Sequence, residues 1–237
     1  MYAVILSESK KTEDSLMYDK YLKKFEPYVK KWLSEHYTPE EAEKRFEKAL
    51  SLYNKWLREE GDFGGRKNMM ADNVLLVYAF FAFYEAVDRT LTKEDLNDLI
   101  DIAMGKKLKL LSHFDMNKLE KKKWLMKLIY KYFANYAKKA DRHRGKDWGS
   151  TWEIRLNPEK HDKGIAFVFD TCPINDFARK YGYIDFLPNL CAIDQLTCKT
   201  MHATLIRHKT LACGDGECNY WIIGDKNPEA LSDSGSK

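Results

Sequence analysis

All five cysteines of this 237-residue chain, at positions 172, 191, 198, 213 and 218, fall between Gly164 and Ile223, about a quarter of the sequence. Cysteine thiolate is both a nucleophile and a metal ligand, and the same stretch carries Asp170, Asp194, Asp215, His202 and His208. The gaps match no paired Cys-x-x-Cys zinc pattern, so a metal would have to be assembled across the fold. The residue types favour thiol chemistry with carboxylates as proton carriers.

The surrounding pattern says how these groups are held. Trp152, Ile154 and Leu156 alternate with polar residues, as in a strand with one buried face, and Ile165–Phe169 is continuously apolar, as in a central strand. Pro173 opens a helix continuing through Asn175–Tyr181 and stopped by Gly182, which places Cys172 at a strand-to-helix turn. A second short helix is expected from about Leu190 to Met201, with Cys191, Asp194 and Cys198 at i, i+3 and i+7 on one face. Thr204–Ala212 and Cys218–Ile223 read as a hairpin around CGDGE. Helix N-termini depress thiol pKa values, which ranks Cys172 and Cys191 ahead of Cys198 and Cys213.

The first half of the chain is helical in pattern. Helices are expected from Thr12 to His36, with Pro27 as a kink, and from Thr38, where Thr-Pro-Glu-Glu forms a capping box, to Glu60. After Gly61, Gly64 and Gly65 an apolar helix starts near Asn68. Its VLLVYAFFAFY run falls short of the roughly 20 residues that span a bilayer, so it reads as buried. The GGRKN loop ahead of it either holds an anion at a helix N-terminus or is a plain turn. Two more helices are expected, from Thr92 to Met104 and from Asp115 to Ala140. The second reads as amphipathic, with lysines 118, 121, 122, 123, 127 and 131 forming a solvated face and Leu119, Trp124, Leu125, Leu128 and Tyr132 lining the opposing side.

These elements give an α+β fold: an N-terminal helical half packed on a C-terminal antiparallel sheet of about four strands with two short helices. The expected divisions are 1–148, 149–226 and a disordered tail, 227–237, within one compact unit. A net charge of +4 from 40 basic and 36 acidic side chains creates no strong field for nucleic acid. The first ten residues lack the features of a signal peptide, and an odd cysteine count suggests free thiols, so a cytoplasmic location is expected. No GxGxxG, Walker, HExxH or GxSxG signature is present.

Cys172-Pro173, Cys191-Ala192-Ile193-Asp194, Arg207-His208-Lys209-Thr210-Leu211, Gly214-Asp215 and Cys218-Asn219-Tyr220-Trp221 follow one another in order. In order and spacing they resemble the L-2-amino-thiazoline-4-carboxylic acid hydrolases, whose pattern runs Cys-Pro, Cys-x-x-Asp, Arg-x-x-Thr-Leu, Gly-Asp and Cys followed by aromatics. Cys198 and Cys213 lie outside the pattern, and Asn219 replaces its more usual aspartate.

The resemblance implies cofactor-independent hydrolysis of a C–N bond in a cyclic amidine such as a thiazoline. Cys172 or Cys191 would be the nucleophile, Asp194 would hold the protonated amidine or act as acid/base, and Asp170 is a second carboxylate candidate. Asn68, Arg207, Thr210, Cys218 and His202 form the candidate substrate-binding set. No metal, nucleic-acid or membrane partner is expected, only a small-molecule substrate. Each thiol could instead be a small buried hydrophobe. The alternative reading is a non-catalytic small-molecule or metal-binding module, because the strand–helix–hairpin order also resembles four-vinyl-reductase-like sensor domains.

Overall fold

The computed structural model describes residues 23–234, so the part of the expected Thr12–His36 helix before Lys23 and the last three residues lie outside the described residues. The chain divides into two compact units, one ending at Met104 and one beginning at Gly105.

The first unit is helical. α1 occupies 23–36 and runs through Pro27 without ending, and α2 spans Pro39–Glu60. Thr38 caps α2 through the expected box, its hydroxyl accepting from Glu41 N at 3.4 Å while Glu41 Oε2 accepts from Thr38 N at 3.5 Å. α3 (Ala71–Ala86) is buried on almost every side, with Leu75, Tyr78, Phe81 and Ala82 fully enclosed, and it packs against α2. Its apolar run therefore serves a core. α4 (Lys93–Leu111) outruns its expected end at Met104 by two turns.

In the second unit, the single helix expected from Asp115 to Ala140 is broken. α5 (Met116–Leu119) and α6 (Lys123–His143) flank a non-helical Lys122. The break has a tertiary cause. Asn117 Nδ2 donates to Asp225 Oδ1 at 2.8 Å, Lys226 N donates to Asn117 Oδ1 at 3.0 Å, and Gly224 N donates to Glu120 Oε2 at 3.1 Å. α5 thus clamps the chain after the last strand, and a Cβ at Gly224 would collide with the Asn117 side chain.

The sheet has four antiparallel strands, β1 (Glu153–Leu156), β2 (Ile165–Thr171), β3 (Ala203–Ile206) and β4 (Cys218–Gly224), in the order β1-β2-β4-β3. The α+β class is as expected. Cross-strand pairs Ile165–Ile222, Phe167–Tyr220 and Phe169–Cys218 put Cys218 and Tyr220 on one face with a wall of apolar side chains. α6 covers that face, stacking Phe133 on Phe167 with centroids 5.7 Å apart, and Tyr130 Oη accepts from Ala166 N at 2.8 Å.

Three expectations change. The hairpin's first strand ends at Ile206 instead of Ala212; residues 207–217 form a wide loop with a 3-10 turn at Leu211–Cys213. The helix expected from Leu190 begins earlier and is divided, α8 (Leu187–Cys191) and α9 (Ile193–Thr200) meeting at Ala192, so three short helices, α7 (Pro173–Tyr181) being the first, lie between β2 and β3. The tail is helical through Pro228–Ser234 as α10, with Asn227 Oδ1 accepting from Glu229 N at 3.2 Å and Ala230 buried against Ile206 and Ile223 on the second face of the sheet. Asn-Pro-Glu is a helix-start signal that the polar composition of the tail obscured.

Candidate active site

Cys172 follows the last residue of β2 and is the N-cap of α7, the strand-to-helix turn that the sequence indicates. Cys191 closes α8, Asp194 lies in the first turn of α9, and Cys218 opens β4. The Cys172, Cys191 and Cys218 thiols lie close enough to oppose one another's ionisation. Three elements distant in sequence therefore converge at one end of the α6-covered face.

Arg207 organises this end. One step beyond the Ile206–Trp221 pair, it comes opposite Tyr220, and its side chain is only 7 % exposed. Arg207 Nη1 donates to Asp194 Oδ2 at 3.0 Å and to Tyr220 Oη at 3.2 Å, while Nη2 donates to the Cys191 carbonyl at 3.0 Å. The Tyr220 hydroxyl donates to the same Asp194 Oδ2 at 2.9 Å. Oδ1 of Asp194 accepts from no described residue, and the Asp194 side chain keeps 46 % of its exposure. One carboxylate oxygen is fixed and the other is open.

Burial works against the Arg207 charge, but Tyr220 and Asp194 outweigh it and hold its pKa above the ordinary value. Burial pushes the Asp194 carboxyl up, opposed by Arg207 and Tyr220, and pushes the Tyr220 hydroxyl well up, with Asp194 adding to it. The thiols move in the direction opposite to the expected activation. Burial raises Cys172 to about 12, although the backbone N–H groups of Asn175 and Ile174 favour its anion. Burial and then Asp194 raise Cys191 to about 12, with Arg207 opposing. Cys198, buried against Met116, Met126, Ala203 and Leu205, is also near 12, and Cys218 is raised by burial while Leu211 N donates to its Sγ at 3.1 Å. At rest the thiols are protonated.

The other sequence candidates lie elsewhere. Asp170 alternates with Phe169 along β2 and so points to the second face, where both its oxygens accept from Arg155 at 2.7 Å; Arg155 also reaches Glu217 at 2.7 Å. His202 sits at φ 50° at the start of β3, the end away from Arg207, with Nδ1 3.5 Å from Asp225. Thr210 caps the 3-10 turn, its hydroxyl accepting from Cys213 N at 3.2 Å and its own N donating to Asp215 at 2.7 Å. Asn68 belongs to the first unit, where it is buried, its Nδ2 donating to the Phe63 carbonyl at 2.8 Å and its Oδ1 accepting from Met70 N at 3.0 Å. Cys191 ends a helix instead of starting one. Tyr220, absent from the sequence candidates, is a full member of the site; its alternation with Cys218 is the signal that would have found it.

A cavity of about 140 Å³ lies over the second face, lined by Val168, Ile206, His208, Asn219, Trp221 and His161, which stacks on Trp221 at 3.8 Å. None of the five cysteines lines it.

The fold and this site together define an α+β protein that gathers buried thiols around a carboxylate held by arginine and tyrosine. The chain matches the sequence model of the L-2-amino-thiazoline-4-carboxylic acid hydrolase family over residues 72–222, more than half its length, and it belongs to that family. No curated protein and no solved structure matches it at a significant level.

Proposed function

We propose that this protein is a cysteine-dependent hydrolase that opens a cyclic amidine of the 2-aminothiazoline-4-carboxylate type at a C–N bond. The observation carrying this reading is the Asp194 carboxylate, with Oδ2 fixed by Arg207 and Tyr220 and Oδ1 open, beside the thiols of Cys191 and Cys218, which in turn neighbour that of Cys172. An open carboxylate oxygen accepts N–H from an amidinium, the form in which the amidine carbon is most electrophilic. The family name points to the same substrate class.

Protonated resting thiols fit this chemistry. A cyclic amidine is itself a base, so the thiol proton passes to an amidine nitrogen and the sulfur adds to the central carbon, giving a tetrahedral adduct. Collapse breaks the ring C–N bond: a proton passes from the exocyclic nitrogen to the ring nitrogen, which leaves as an amine, and the exocyclic nitrogen forms the new C=N bond. Water then adds to the same carbon, Asp194 takes its proton, and the enzyme sulfur leaves, giving a carbamoyl thioester and a regenerated thiol. Cys172 is the nucleophile in this reading, because the Asn175 and Ile174 N–H groups favour its anion whereas Asp194 disfavours that of Cys191.

Incubation with 2-aminothiazoline-4-carboxylate and related cyclic amidines, following release of the free amine and formation of the carbamoyl thioester, tests the reading. Wild-type protein should turn the substrate over, Cys172→Ala should not, and Cys191→Ala should retain measurable activity. Equal turnover by Cys172→Ala and wild type overturns the assignment.

A further inference from the structure

α6 carries two apolar stripes, and only one of them meets the protein. Met126, Tyr136 and Ala140 are buried, and Tyr130 and Phe133 bond to or stack on the sheet. At about 100° per residue, Trp124, Leu128 and Tyr132 project from a direction about 140° away. They are 63 %, 52 % and 58 % exposed, so these residues, expected on the buried side, form a ridge about 12 Å long in solvent. Lysines 121, 122, 123, 127 and 131 surround it, and none forms an ion pair with a described residue; Lys118 pairs with Asp115.

Exposed aromatic and aliphatic side chains among uncompensated cations fit a partner that is both anionic and apolar. A second copy presenting the same face would set lysines against lysines. A protein with ordered carboxylates would favour arginine, whose planar fork fixes geometry, but all five cations are lysines, flexible point charges suited to a diffuse anionic surface. Tryptophan and tyrosine settle at the boundary between headgroups and acyl chains, and lysines extend from it to the phosphates. No helix among the described residues is long and apolar enough to cross a membrane. We propose that the Trp124–Leu128–Tyr132 ridge of α6, with its flanking lysines, docks this protein on the surface of an anionic phospholipid bilayer.

The full chain is tested by co-sedimentation with vesicles of phosphatidylcholine alone and of phosphatidylcholine with phosphatidylserine, at low and near-physiological salt. Binding should require the anionic lipid and weaken as salt rises. Each flanking lysine contributes about five-fold, so Lys127→Glu with Lys131→Glu should weaken partitioning by about 25-fold or more. Trp124→Ser alone should lower it several-fold, and Trp124→Ser/Leu128→Ser/Tyr132→Ser should abolish it at near-physiological salt, with far-UV circular dichroism unchanged because all three side chains are more than half exposed. Equal binding to neutral and anionic vesicles, or undiminished binding by the serine variants, overturns the proposal. Binding to soluble polyglutamate as tight as to vesicles, and independent of Trp124, also overturns it in favour of an acidic protein partner.

Discussion

The Tyr220 hydroxyl donates to Asp194 Oδ2 at 2.9 Å, sharing that oxygen with Arg207 Nη1 at 3.0 Å. Tyr220 sits two residues along β4 from Cys218, so a strand and a helix are joined through one acceptor atom. Removing Arg207 leaves Asp194 and the Cys191 carbonyl without their cation, whereas removing the hydroxyl costs one bond. Arg207→Ala should destabilise the fold by about 2 kcal/mol and Tyr220→Phe by about 1 kcal/mol, the carboxylate being partly solvated. Urea midpoints check both; a neutral Arg207→Ala would show that the network is ornamental.

Thiol accessibility gives a second test. Cys213 is exposed, while Cys172 and Cys191 are half-buried and protonated to about pH 12. Iodoacetamide at pH 7.5 should therefore label Cys213 first and leave the other two at least about tenfold slower, by peptide mass analysis over time. Rapid labelling of Cys172 in the unliganded protein would contradict burial as the dominant influence on its sulfur.

The same shifts fix how stability depends on pH. The thiols of Cys172, Cys191 and Cys198 hold their protons to about 12 in the folded chain, against an ordinary value of 9.0. Below about pH 9 both states are protonated and the contribution is complete. Above it the unfolded chain ionises first, so unfolding releases protons and stability falls progressively from about 9 towards 12. Tyr220 acts with the same sign above its ordinary 10.0. Chemical unfolding of wild type and Cys198→Ala under reductant, from pH 8 to 10.5, should show a shallower decline in the variant. Parallel slopes would refute it.

Local signals carried much of this site. Cys172 at a strand end followed by proline, Asp194 in the first turn of a helix, and a Gly-Asp turn before Cys218 could all be read from the chain, because caps, turns and alternation act over a few residues. What escaped depended on distant partners. Nothing near Glu120–Lys122 signals the break between α5 and α6, which follows from Asn117 and Glu120 binding the chain after β4. The family resemblance puts Arg207 among the candidate substrate-binding residues, yet Nη1 and Nη2 bond Asp194, Tyr220 and the Cys191 carbonyl, partners brought to it by strand register. Helical proximity suggested activated thiols, but burial outweighs a helix terminus at Cys172, and Cys191 ends its helix.

Strand parity separates the two aspartates proposed for catalysis. Asp170 lies between Phe169 and Thr171 on β2, and since Phe169 pairs with Cys218, its carboxylate projects from the face away from the thiols. There it meets Arg155, which keeps Glu217 as a second partner, in a network open to solvent. Asp170→Asn should thus cost no more than about 1 kcal/mol in stability and leave turnover within about twofold of wild type. Asp194→Asn keeps the shape but removes the charge that would hold an amidinium and take a proton from water, so turnover should fall by about 10²-fold or more while the urea midpoint shifts modestly. Because both variants replace a carboxylate with an amide, side-by-side assays isolate position from chemistry. Equal losses at the two sites would mean that the face assignment fails to predict function, and the thiol–Asp194 site would lose its claim to be the centre of the reaction.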